Sequence, residues 1–206
     1  MKIVAGALLA ASLLAGAAFG QTRAVLPDGA EIEHVRVHPL YAAPYSCAEH
    51  WAGQLPTVGD ALGTDCYVTG PVETPDGGMV FRPYRTDGLT NEDWFSWGEP
   101  VLAPFDAEIE RVMENETVNR PGHVGRPPAG MILLRRGDGL MMVYAHIAEP
   151  RVTAGETVRA GDVLAVVGNN GFGRSPHIHL GAWRGNTPVQ IIWDQRAMGA
   201  LMSDMP

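Results

Sequence analysis

Hydrophobic positions in this chain recur mostly at intervals of two, the spacing of strands with one buried face. GMILLRRG and GLMMVYAHI are apolar runs separated by Gly137-Asp138-Gly139, and the Asp-Gly step suits a tight hairpin turn. GETVRAGDVLAVVGNNG reads as a further pair of short strands turned at Ala160-Gly161-Asp162, and HIHLGAW as another strand. In PVLAPFDAEIERVME the alternation sits in the second half, where Ile109 and Val112 fall among acids. Upstream, EIEHVRVHPL predicts an edge strand with His34 and His38 in solvent. Helical signals are few: SCAEHWAGQL predicts a short helix capped by Ser46, and residues 194–202 a closing amphipathic helix. TPDGGMVFRPYRTDG is rich in turn residues, and ENETVNRPGHVGRPPAG predicts a long surface loop. The sum is a mainly β chain, with a compact antiparallel domain over residues 79–190 and a tail over 191–206.

The first twenty residues do not fit this pattern. MKIVAGALLAASLLAGAAFG opens with one lysine, continues as an apolar and small-residue run, and ends at Ala18-Phe19-Gly20, as a cleavable export signal does. The expectation is an exported, periplasmic or secreted chain that does not span the membrane after cleavage. Export changes the reading of Cys47 and Cys66, the only cysteines: an even pair in an oxidising compartment most simply forms a disulfide. A metal site with His50, three residues after Cys47, is the alternative. On either reading, residues 21–78 form an N-terminal extension. The formal net charge is -8 and no basic stripe appears, which argues against nucleic acid as a partner.

Candidate chemistry concentrates in RSPHIHLGAW. His177 and His179 are two apart, so in a strand both imidazoles project to one face. His146 ends the run LMMVYAH, and Asp93 lies in TNEDWFSWGEP. Imidazole nitrogens and a carboxylate are zinc-compatible donors, and spare histidines beside a metal can move protons. Trp94, with Phe172 and Arg174 from the loop before the two histidines, are candidate walls of a substrate groove.

GEPVLAPFDAEIERV, GMILLRRGDGLMMVYAHI and VTAGETVRAGDVLAVVGNNGFGRSPHIHLGAW together resemble the lysostaphin/LytM-type zinc metallopeptidases, which cleave peptide cross-bridges in bacterial peptidoglycan. The similarity runs from about residue 87 to residue 183. It implies a LytM-like β-sandwich built on a duplicated hybrid motif, zinc as cofactor and peptidoglycan peptides as substrate. It also implies His179 and Asp93 as zinc ligands, with His146 and His177 as catalytic histidines. The family's HxxxD motif places another zinc histidine four residues before the acid. Counted from Asp93 that position is Leu89, so a weak or absent zinc site is the expectation, with His50, His123 or Glu92 as possible substitutes. Two functions follow: a cell-wall metalloendopeptidase with an atypical zinc site, or a non-catalytic wall-binding module that activates cell-wall amidases or meets division proteins. GETVRAGDVLAVVG also resembles the hairpin of biotinyl or lipoyl carriers, but those need an acceptor lysine and no lysine follows Lys2.

Overall fold

The computed structural model describes residues 22–203. The leader expected over residues 1–20 lies outside the described residues. The chain is mainly β. Its nine-stranded curled sheet centres on β13 (Ile178–Arg184), flanked on one side by β9 (Met141–Ala145), β8 (Met131–Arg135), β7 (Ala107–Met113) and β11 (Thr157–Val158). The other edge of β13 is shared. Along Ala182–Arg184 it pairs with β14 (Thr187–Trp193), and along Ile178–Leu180 with β3 (Thr64–Val68). Beyond β14 lies β1 (His34–Val37), and beyond β3 lies β2 (Tyr45–Glu49). β1 runs parallel to β14, while the other strand pairs described are antiparallel.

A second sheet holds β6 (Pro100–Leu102), β12 (Val163–Val167) and β10 (Ile147–Ala148), and it shares one core with the first. Val101, Leu164 and Val167 of the small sheet meet Ile109, Leu134, Met142, Ile178 and Leu180 of the large one in this cluster. The Gly137-Asp138-Gly139 hairpin joins β8 to β9 as expected. The two strands of GETVRAGDVLAVVG form, but they do not pair with each other: β11 joins β7, and β12 joins β6 and β10. The turn residues of TPDGG close a separate hairpin, β4 (Gly70–Glu73) with β5 (Met79–Arg82). Helix α1 (Gln195–Ser203) starts where the Asp194 carboxylate accepts from the Arg196 and Ala197 amides. Among the described residues no helix is long and apolar enough to cross a membrane.

Two expectations are corrected. SCAEHWAGQL does not begin a helix, because Tyr45–Glu49 pairs antiparallel with β3 and ladder bonds outweigh a weak local preference. Residues 21–78 are not an appendage, since β1 and β3 are strands of the main sheet. β13 leaves half an edge open beyond β14, and β3 fills it.

Cys47 and Cys66 form a disulfide, and they face each other directly in the β2–β3 register. The bridge joins β2, which has no other neighbour in the sheet, to a strand tied into the centre. Closing a loop of this length contributes about 3 kcal/mol in the chain-entropy model. Urea unfolding with and without dithiothreitol should show a loss of that order, and two alkylatable thiols in the unreduced native protein would contradict it.

Candidate metal centre

β3 and β13 build the site through their register. His179 lies directly opposite Asp65, so both side chains project from the same face of the sheet. On β3, Thr64, Cys66 and Val68 are buried while Asp65 and Tyr67 point the other way. On β13, Ile178 and Leu180 enter the core, which leaves His179 beside Asp65. His179 Nδ1 stands 2.9 Å from Asp65 Oδ1. His50 follows the end of β2, and its Nε2 lies 3.7 Å from Asp65 Oδ2. One ligand atom from each of His50, Asp65 and His179 lies within 4.8 Å of the others. Tetrahedral zinc with bonds of about 2.0–2.2 Å holds its ligand atoms roughly 3.3–3.6 Å apart. The 2.9 and 3.7 Å separations, to different oxygens of Asp65, lie within a few tenths of an ångström of that range, and two imidazoles with a carboxylate are donors of the type zinc takes.

Two more histidines complete the cluster. His146 directly follows β9, and His177 directly precedes β13. Their ring centroids are 4.6 Å apart, and His146 is 6.5 Å from His179. His177 Nε2 lies 3.7 Å from Asp65 Oδ1, and Tyr67 stacks on the His177 ring at 5.0 Å.

Each imidazole has one nitrogen on a main-chain carbonyl. His50 Nδ1 meets Asp60 O at 2.9 Å, His146 Nδ1 meets Asn170 O at 2.8 Å and His177 Nδ1 meets Ser175 O at 2.7 Å. His179 uses Nε2 instead, 3.1 Å from Gly59 O. A carbonyl only accepts, so it selects the tautomer with the proton on that nitrogen. In a neutral ring the other nitrogen carries the lone pair, Nε2 on His50, His146 and His177; His179, with Asp65 on Nδ1 and Gly59 and Asp60 on Nε2, donates from both nitrogens in the metal-free chain and would give up the Nδ1 proton to act as a ligand. His146 pays for its place with a left-handed backbone, φ 67°, a strain held by the Asn170 contact and by the Gly168 amide on its own carbonyl. A side chain at Gly173 would press on its ring.

Electrostatics separate the histidines. Burial, reinforced by the neighbouring His177 and His179, pushes His146 down to about 3. Burial also lowers His177, against the pull of Asp65. For His179 burial acts in the same direction, but Asp60 and Asp65 overcome it and raise the group to about 9. Asp65, despite burial, is held down at about 2 by His179 and the other histidines. Asp60 Oδ1 lies 3.2 Å from His179 Nε2.

Of the sequence-predicted residues, the structure brings His146, His177 and His179 together. Asp93 is not part of the cluster. Its carboxylate is taken by the Thr86 and Gly88 amides in the loop that follows β5. Leu89 is an exposed residue of that loop, not a filler beside His179. The acid on the sheet is Asp65, which sequence reasoning missed; the residue four before it is Ala61. Asp65 was findable, because a Cys47–Cys66 bridge brings its neighbours close to His50. Glu92 and His123 do not enter the cluster, but His50, one of the three substitutes considered, does. Trp94 reaches the site only through Tyr67, with ring centroids 6.0 Å apart. Phe172 and Arg174 are exposed in the loop that carries Ser175 to His177.

Two imidazoles and a carboxylate on a sheet face, with two neutral imidazoles alongside, define a metallopeptidase-like domain. The sequence model of peptidase family M23 matches residues 93–191, and the chain carries an M23 domain of the LytM type. The match begins after the strand that holds Asp65. Over 84 residues the chain is 37% identical to an uncharacterized metalloprotease of Haemophilus influenzae, covering 41% of this chain and 16% of that protein. The chain thus spans a small part of the curated relative's length. Among solved structures, a mutant catalytic domain of the prophage-encoded M23 protein EnpA from Enterococcus faecalis aligns with TM-score 0.47 and 17% identity, over 74% of this chain and 93% of that one. The catalytic domain of lysostaphin from Staphylococcus simulans aligns with TM-score 0.44 and 18% identity, over 71% and 88%.

The opposed shifts predict a stability maximum for the metal-free chain near neutral pH. His179, raised to about 9, stabilises fully below its ordinary 6.5 and loses that contribution as pH rises through 9. His146, lowered to about 3, costs nothing above 6.5. Below that the unfolded chain takes up a proton that the folded chain refuses, and stability falls. Urea midpoints of chelator-treated protein should peak near pH 6–7, with the alkaline decline removed in His179→Ala; a midpoint rising from pH 7 to 9 would contradict the assignment.

Proposed function

We propose that this protein is an exported zinc metalloendopeptidase acting on peptidoglycan peptides, with His50, Asp65 and His179 as the zinc ligands and His146 and His177 as catalytic histidines. The observation that carries the reading is the convergence of Asp65, His179 and His50, two of which are anchored through the nitrogen that faces away from the acid. Such outer hydrogen bonds fix tautomer and ring orientation in metal sites. Zinc held by this set would supply Lewis acidity, lowering the pKa of water and polarising a peptide carbonyl.

The remaining chemistry belongs to the chain. His146 and His177 are kept neutral by burial, with Nδ1–H committed to carbonyls and Nε2 free. A neutral imidazole accepts the proton of the attacking water and returns it to the departing amine. Their ring spacing of 4.6 Å lets the two share an oxygen between them, one as acceptor and the other, when protonated, as donor to a developing oxyanion. Tyr67 roofs His177, and the exposed loop with Phe172 and Arg174 offers one wall for an extended peptide.

The non-catalytic alternative, a wall-binding or amidase-activating module, drew its support from Leu89. With Asp65 taken as the acid and His50 as the third ligand, that argument lapses, a reading supported by the proximity of His50, Asp65 and His179. Protein purified without chelators should carry near-stoichiometric zinc and release peptide fragments from peptidoglycan, with chelation abolishing both. His50→Ala and Asp65→Ala should lose metal and activity, while Leu89→His and Asp93→Asn should leave zinc content unchanged. Metal-free wild type that binds peptidoglycan without cleaving it would favour the alternative.

A further inference from the structure

The turn over residues 57–63 contributes no ligand to the set above, yet it touches both imidazoles in it. It ends one residue before β3 and includes Ala61, the position where an HxxxD motif ending at Asp65 would carry a histidine. Asp60 occupies the adjacent place. Its main-chain carbonyl accepts from His50 Nδ1 at 2.9 Å, and its carboxylate Oδ1 lies 3.2 Å from His179 Nε2. One residue therefore holds His50 and His179 from the side opposite Asp65.

Asp60 is itself held. The Thr57 hydroxyl donates to Oδ2, the Asp60 amide donates to Thr57 O at 3.1 Å, and the Gly63 amide donates to Asp60 O at 2.9 Å. The turn is pressed against the centre of the sheet at Gly181, where β13 passes from β3 to β14. A Cβ at Gly181 would overlap the carbonyl of Gly59. That same carbonyl is the second acceptor for His179 Nε2. Nothing in this arrangement requires Asp60 for the strand pairing, which is carried by β3 itself.

We infer that Asp60 is the positioning residue of the metal centre, compensating for the motif histidine absent at Ala61 by orienting His50 through its carbonyl and His179 through its carboxylate. The inference rests on the ligand assignment proposed above. A carboxylate on the outer nitrogen of a ligand imidazole fixes its tautomer and raises its basicity, and loss of such a partner typically costs 10–100-fold in metal affinity.

The test is zinc affinity of the full chain by chelator competition, with the visible spectrum of the cobalt-substituted protein as a second readout. Asp60→Ala should weaken zinc roughly 10–100-fold while the cobalt bands keep the wild-type coordination pattern. Asp60→Asn keeps an oxygen for Nε2–H and should recover part of the loss. Thr57→Val, which frees the carboxylate without removing it, should fall between Asp60→Asn and wild type. Asp65→Ala is the comparison for loss of a ligand. Wild-type affinity in Asp60→Ala overturns the inference. So does a loss as deep as that of Asp65→Ala with altered cobalt bands, which would make Asp60 a ligand. Weaker zinc in Asp60→Ala with no recovery in Asp60→Asn, and with non-cooperative unfolding of the metal-free chain, would show a structural role instead. Wild-type protein that takes no zinc removes the ligand assignment, and this inference with it. Tight wild-type zinc with an indifferent Asp60 removes the inference alone.

Discussion

The register between β3 and β13 is the constraint on which the rest depends. Because side chains alternate across a sheet, His179 opposite Asp65 places both on the groove face, and a slip of one residue would put them on opposite faces. The slip is prevented from the other side: Cys66 and Val68 are committed to the buried cluster, as are Ile178 and Leu180. Hydrophobic alternation, which carries no chemical information, thereby fixes the meeting of an acid and an imidazole. The disulfide extends the same register to β2 and brings His50 to the third corner.

Placement is only half of the arrangement; protonation is the other. His146, His177 and His179 are all buried, and burial alone would keep all of them neutral. His179 departs from that rule because it lies between two carboxylates. For His146 and His177 burial outweighs the weaker help that a charge would receive from the carbonyls on Nδ1 and, for His177, from Asp65. One neighbourhood thus produces imidazoles of opposite character: His179 is basic and holds a proton that a metal would have to displace, whereas His146 and His177 are neutral and left to accept one.

Much of this was legible in the sequence, and the illegible part has a physical reason. The alternation in LMMVYAH and HIHLGAW reported strands whose partners lie close in the chain or whose core faces are continuous, so His146, His177 and His179 were found. The resemblance implies Asp93 as the acid, within the similar region, but the β4–β5 hairpin and its following loop separate that region from β3. Asp93 shows the expected residue type in a loop whose own amides take up its carboxylate. Asp65 gave no signal through His179, 114 residues away, a distance over which local pattern says nothing; only the cysteine pair beside it pointed to it. The strand at Tyr45–Glu49 was read as a helix for a related reason: β2 owes its form to β3, not to its own residues.

That separation of 114 residues also bears on how the protein comes to exist. The hairpins β7–β8 and β8–β9 close over short loops and pair early in principle, whereas β3 must wait for β13, most of the chain later. Lengthening such a loop adds little to the equilibrium cost of closing it, about 0.6 kcal/mol per doubling, but it delays the encounter. Until that encounter no acid faces His179. A half-made chain would have Asp65 and His50 without His179, and a half-unfolded one would hold them apart, so bound metal would be a signature of chains that had completed their topology.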